Sequence, residues 1–226
     1  MSTLEDRLRN IHERMNVAAV NVGRNAQDIR LLLATKNQSA ETLRSIYGLG
    51  ELLFGENRVQ EFVSKSADLQ DLTIDWQFIG HLQTNKVRDV IGRVSCIQSA
   101  DRDSLIDAIN TECLKRNVSV DVMVEVNTSG ETSKYGVAAS NVEPLIDRIL
   151  TMPTLRIVGF MTIGALSDDE RVVRQCFEKL RYIRDSYDAS HQTKTALSMG
   201  MSDDLEWAIA EGSTIVRVGT AIFGER

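Results

Sequence analysis

Apolar side chains at Leu4, Leu8, Ile11, Met15, Ala18 and Val22 recur at steps of four and three. That spacing puts them on one face of an α-helix, predicted to end near Gly23 and opened by Ser2 and Glu5 at capping-box separation. Beyond Gly23 two kinds of segment alternate. Short apolar runs read as buried strands: Leu31–Lys36, Leu52–Asn57, Trp76–Gly80, Ser95–Ala100, Val120–Asn127, Arg156–Ile163, Thr195–Gly200 and Ile215–Ile222. Helical patterns lie between them. Val59, Phe62 and Val63 make one face; Leu105, Ile106, Ile109 and Cys113 follow an expected Asp101 cap; Val172, Val173, Cys176, Phe177, Leu180, Ile183 and Tyr187 follow Ser167 and Glu170, again at capping-box separation.

Strands apolar on both faces and alternating with helices predict a parallel sheet with helices outside it. Eight such units predict an α/β fold, a single-domain (β/α)8 TIM barrel with an extra N-terminal helix. An open doubly wound sheet is the competing arrangement, but no GxGxxG follows the first strand, where a dinucleotide site would lie. The only prolines are Pro144 and Pro153 and no stretch has the composition of a linker, so residues 1–226 are read as one domain.

Charge narrows the partners. Lys and Arg number 26 against 32 Asp and Glu, a net charge of −6 with no basic cluster. That balance argues against nucleic acid and anionic membranes, while leaving room for a local positive pocket for one small anion. Cys96, Cys113 and Cys176 are far apart and odd in number, as expected of reduced thiols in a cytoplasmic protein. The three histidines show no zinc-ligand spacing. Neither a signal peptide nor a membrane-spanning run is visible.

In a barrel, chemistry belongs at the C-terminal ends of the strands. Lys36 closes the first apolar run. An amine at the mouth of a barrel, partly desolvated, is a candidate for attack on a carbonyl, and equally an ordinary surface lysine at a strand end. Ser202 and the pair Gly219–Thr220 follow the last two runs, where barrels commonly bind phosphate; the alternatives are a helix cap beginning at Asp203 and a tight turn. Arg217 sits inside a buried run and needs either a carboxylate such as Glu125 or a ligand. Lys134 is a second amine near the mouth but reads better as a loop lysine. His81 either lines the mouth or caps a helix.

Five segments together carry a resemblance. They are Ala34-Thr35-Lys36, Phe54 to Glu61 (FGENRVQE), Phe78 to Lys86 (FIGHLQTNK), Ser198 to Asp204 (SMGMSDD) and Val216 to Gly224 (VRVGTAIFG). In this order the chain resembles the pyridoxal phosphate homeostasis family, single-domain relatives of the alanine racemase N-terminal domain. The resemblance implies a barrel that binds pyridoxal 5′-phosphate (PLP). Lys36 matches the family's Schiff-base lysine; Ser202, Gly219 and Thr220 match its phosphate-binding residues; Arg217 matches the arginine facing the pyridine nitrogen; Asn57 matches a residue beside the ring. The family is implicated in PLP carriage and in vitamin B6 and amino-acid homeostasis, and is not credited with an enzyme activity. A cation opposite the pyridine nitrogen disfavours its protonation, which argues against transaminase-like chemistry and permits racemase-like chemistry.

Three functions therefore compete. The first is a non-enzymatic PLP-binding protein, a monomer, delivering cofactor to PLP-dependent apoenzymes. The second is a PLP-dependent amino-acid racemase. The third is a Schiff-base aldolase or other sugar-phosphate barrel without PLP. The racemase is disfavoured because the chain ends soon after its last strand, with no second domain expected to bring a tyrosine over the cofactor.

Overall fold

The computed structural model describes residues 3–224. The leading helix α1 (Leu4–Asn21) buries Leu8, Ile11, Met15, Ala18 and Ala19, and Gly23 beyond it has a positive φ of 69°. Then follow β1 (Arg30–Ala34), α2 (Ala40–Gly48), β2 (Leu53–Glu56), α3 (Val59–Asp68), β3 (Asp75–Phe78) and β4 (Cys96–Ala100). A 3₁₀ turn, Thr84–Asp89, replaces an α-helix between β3 and β4. Next come α4 (Asp103–Arg116), β5 (Val120–Asn127), a two-residue strand β6 (Val137–Ala138), α5 (Val142–Leu150) and β7 (Leu155–Met161). The chain continues through α6 (Glu170–His191), β8 (Ala196–Ser198), α7 (Leu205–Ala210), β9 (Ile215–Val218) and α8 (Thr220–Phe223).

All strand pairings are parallel. β1 to β5 run in sequence, β5 pairs with β7, and β8 and β9 lead back to β1. The sheet closes on itself, with β6 attached only at the end of β5. This is a (β/α)8 barrel with an added N-terminal helix. Alternation along each strand divides the apolar side chains into two sets. Leu32, Leu53, Ile79, Cys96, Met123, Met161 and Ile215 fill the barrel interior. Leu33, Phe54, Phe78, Ile97, Val124, Phe160 and Val218 face the helices in the larger outer core.

Several local expectations are corrected. The first capping box is made by Thr3 and Asp6: the Asp6 N–H donates to Thr3 Oγ1 at 3.1 Å and the Thr3 N–H to Asp6 Oδ2 at 3.0 Å. Ser2 lies outside the described residues. Asp101 does not cap α4, whose N-cap is Arg102; its carboxylate instead accepts from the Arg102 guanidinium at 2.6 Å. Helix α6 is capped by Asp169, which accepts from the Arg171 N–H, while Ser167 accepts from the Asp169 N–H. The last predicted strand stops at Val218 rather than Ile222. Thr220 to Phe223 turn into a short helix whose Ile222 stays fully buried because α1 packs over it. Buried apolar residues persist across the change from strand to helix, so the run looked continuous. All three cysteines are buried free thiols.

Candidate functional site

Lys36 stands at the second position of a tight turn. The Gln38 N–H donates back to the Thr35 carbonyl at 3.1 Å, and Asn37 at the third position has a φ of 65°. A left-handed third position favours Gly or Asn, which explains asparagine here. The turn lifts Lys36 off the end of β1 into solvent. Its side chain is exposed, against the expectation of partial desolvation. Its free access comes from the turn and not from burial in the mouth.

The turn faces the end of β9 across a cleft of about 270 Å³ lined by Ala34, Lys36, Asn37, Gln38, Gly219, Thr220, Phe223 and Gly224. Register makes the juxtaposition: Leu33 pairs with Val218, so Ala34 abuts Gly219. A Cβ on Gly219 would lie 3.0 Å from the Ala34 carbonyl oxygen, tight enough to push the two strand ends apart. Ser202 adjoins the same corner. Its Oγ accepts the Ala221 N–H at 3.2 Å and keeps a hydroxyl proton to donate. Ser202 is not the expected helix cap, since α7 begins at Leu205 behind Asp204, whose Oδ1 accepts from the Met201 N–H at 2.6 Å. Two hydroxyls and an approachable backbone thus meet an exposed amine, an arrangement suited to a small anion that carries a carbonyl.

Arg217 lies inside the barrel, opposite Leu32 in the β1 register, and is 6% exposed. Its guanidinium does not ion-pair with Glu125. Nη1 donates to Ser198 Oγ and Nη2 to the Thr162 carbonyl, both at 2.8 Å. The Ser198 hydroxyl donates in turn to Gln98 Oε1 at 2.6 Å, and the Gln98 amide donates to Gln77 Oε1 at 2.6 Å. This chain of neutral partners fixes the arginine across the barrel. Burial lowers its pKa to about 10, opposed by Glu125 and Asp204, and it stays cationic at neutral pH. Burial, with the Asp101 charge, pushes Glu125 up to about 7.

Asn57 is brought beside Lys36 by the β1–β2 register, in which Ala34 pairs with Gly55. Its Oδ1 is buried without a hydrogen-bond partner. Gly80 lies against its backbone, where a Cβ would meet the Asn57 carbonyl oxygen at 2.2 Å. His81 caps no helix, as the following 3₁₀ turn is capped by Gln83. Its ring stacks on Tyr135 with centroids 4.0 Å apart, and Nδ1 lies 3.8 Å from Asp101 Oδ2. Burial and the Arg102 charge lower its pKa, against Asp101. The Lys134 ammonium is engaged by the Gly164 carbonyl at 2.6 Å and Glu131 Oε1 at 2.8 Å, as suits a loop lysine.

Against known families, residues 21–226 match the model of the alanine racemase N-terminal domain. The chain belongs to that family. A relative from Aquifex aeolicus (strain VF5), named pyridoxal phosphate homeostasis protein, is 43% identical over 98% of this chain and 97% of its own length. A crystal structure of an unknown protein from Bifidobacterium adolescentis superimposes with a TM-score of 0.93 at 38% identity, covering 97% of this chain and 94% of that one. PipY of Synechococcus elongatus PCC7942, solved with PLP bound, gives a TM-score of 0.82 at 29% identity, over 95% of this chain and all 100% of that one.

Within this racemase-like barrel one buried side chain that borders the site, Lys65, had gone unread in the sequence. Glu56 and Lys65 are buried beneath the Lys36 turn, and Glu125 is buried in the mouth. A signal for Lys65 existed: it shares with Val59 and Phe62 the inward stripe of α3, where a lysine is out of place without a partner.

Proposed function

We propose that the chain is a non-enzymatic carrier of pyridoxal 5′-phosphate, holding it as a Schiff base on Lys36 and releasing it to PLP-dependent apoenzymes. The observation that carries this reading is the cleft that joins the exposed Lys36 amine to Gly219 and Thr220. PLP supplies an aldehyde that an amine captures and a phosphate that hydroxyl and backbone donors hold. The residues present fit both ends: Gly219 lets the β9 end lie close against Ala34 on the cleft wall, Ser202 and Thr220 offer hydroxyl donors, and Lys36 lies across the cleft. Arg217 would present its fixed cation to the pyridine nitrogen and Asn57 would lie beside the ring. The names of relatives, homeostasis proteins and a PLP-bound PipY, support the same ligand.

The deciding experiment loads purified protein with PLP, reduces it with borohydride and maps the modified lysine by mass spectrometry. Modification on Lys36, absent in Lys36→Ala, is the expected result. Pyridoxine 5′-phosphate, which lacks the aldehyde, should still bind Lys36→Ala. Cofactor fixed on Lys134 or elsewhere would remove the assignment. Transfer to an apoenzyme in the presence of a trap for free PLP tests delivery separately.

A further inference from the structure

The Lys36 turn rests on a buried charge cluster that the proposed carriage does not itself require. Lys65, 9% exposed along its side chain, sends its three ammonium donors to three acceptors: Glu56 Oε1 at 2.5 Å, the Thr35 carbonyl at 2.7 Å and Glu61 Oε2 at 2.9 Å. An ammonium has three donors, so none is left over. The same Glu61 oxygen accepts the Asn37 N–H at 2.6 Å. Glu56, whose side chain is wholly buried, takes the Thr35 hydroxyl on Oε1 at 2.8 Å and the Asn57 N–H on Oε2 at 3.1 Å. The peptides before and after Lys36, and the N–H of Asn57, thus converge on one triad drawn from β2 and α3.

We propose that Lys65 is the positioning residue for Lys36: through the Thr35 carbonyl, Glu56 and Glu61 it locks the turn that aims the Lys36 amine and aligns it with Asn57. This rests on the carrier reading above. A buried lysine paired with one glutamate for stability alone would need neither the backbone of the Lys36 turn nor a second carboxylate. Here Glu61 accepts the N–H of Asn37, the left-handed residue that closes the turn.

The test compares borohydride trapping of PLP on Lys36 with binding of pyridoxine 5′-phosphate, which lacks the aldehyde and so reports the ring and phosphate contacts without the bond to Lys36. Glu61→Ala, at a side chain only part-buried, removes the Asn37 acceptor and should slow trapping roughly tenfold to a hundredfold, the scale of a misplaced reacting group. Glu61→Gln retains an acceptor oxygen and should restore much of the rate. The doubly neutral Lys65→Met/Glu56→Gln variant avoids an uncompensated buried charge. It should also trap slowly while binding pyridoxine 5′-phosphate like the parent. Trapping at the parental rate in both Glu61→Ala and the double variant overturns the proposal. So does an equal loss of both ligands in folded protein, which would make the triad a general support. If Lys36→Ala itself still traps PLP, the carrier reading fails first and the two failures are told apart.

Discussion

Arg14 Nη2 donates to the carbonyl oxygen of Ser202 at 2.9 Å, so helix α1 grips the loop that carries a proposed phosphate ligand. The same guanidinium holds both oxygens of Glu206, at 2.7 and 2.9 Å. The helix added ahead of the barrel is therefore coupled to the site and not merely packed beside it. Arg14→Met should lower unfolding free energy by about 1 kcal/mol, since the pair is partly exposed and screened. It should also weaken pyridoxine 5′-phosphate several-fold. Urea denaturation and a binding titration measure the two effects. A stability loss with unchanged affinity would reduce α1 to a packing element.

Replacing Ser202 and Thr220 together by Ala should weaken PLP much more than pyridoxal, which lacks the phosphate. Each charge-assisted bond lost is worth roughly 1.5–3 kcal/mol, and backbone donors remain to hold part of the affinity. The Ala221 N–H also loses its Ser202 acceptor. Parallel titrations with the two ligands are the measurement. Equal losses would show that these hydroxyls do not hold phosphate.

Glu125 gives a pH prediction with a definite sign. Burial first, then the Asp101 charge, raises its carboxyl to about 7 from an ordinary 4.5, against the pull of Arg217 and Arg102. The folded protein therefore keeps a proton that the unfolded chain has released. Its contribution to stability is fully present below about pH 4.5 and is lost as pH rises through about 7. Glu125→Gln should cancel that loss, gaining on the parent between acid and neutral pH by at most about 3 kcal/mol. Urea midpoints across that range test it. A constant offset at every pH would mean that Glu125 ionises as freely in the folded protein as in the unfolded chain.

Much of this architecture was legible because strands buried on both faces leave continuous apolar runs. Those runs located all eight barrel strands and, through their ends, Lys36, Gly219 and Thr220 in what proved to be one cleft. Helix starts were read less well. Thr3 sits next to Ser2, and Asp169 two residues after Ser167, so several capping side chains compete and spacing alone does not choose among them. The strand-to-helix change at Gly219 was hidden because α1 buries Ile222 as thoroughly as a sheet would. The protein partners of Arg217 were hidden for another reason, its sequence context leaving a carboxylate and a ligand equally open. Charge complementarity named Glu125, whereas the barrel interior supplies a hydroxyl and a carbonyl from β8 and from the residue just past β7. The Lys65 triad joins the end of β2 to α3 across the β1 turn, a convergence set by the parallel pairing of β1 with β2.

The protein loaded with PLP should not racemise alanine or other common amino acids at an enzymatic rate. Racemisation needs a proton acceptor on one face of the substrate carbon and a donor on the other. Lys36 can serve one face. For the other, the four tyrosines are unpromising. Tyr47 is on α2, and Tyr182 and Tyr187 are on α6, all in the outer helical layer. Tyr187 is packed edge-on against Phe160, and burial raises its pKa. Tyr135 alone lies in a loop on the mouth side, where it is 58% exposed and stacked on His81. Arg217, cationic and held by Ser198 and Thr162, would further disfavour a proton on the pyridine nitrogen, limiting how much carbanion charge the ring can absorb. Lack of one general base typically costs about 10²–10⁴ in rate, so a trace reaction is compatible with carriage. Chiral analysis of alanine incubated with the loaded protein is the measurement. A turnover number in the ordinary range of roughly 1–10³ s⁻¹, lost in both Lys36→Ala and Tyr135→Phe, would make the protein a racemase with Tyr135 as its second base.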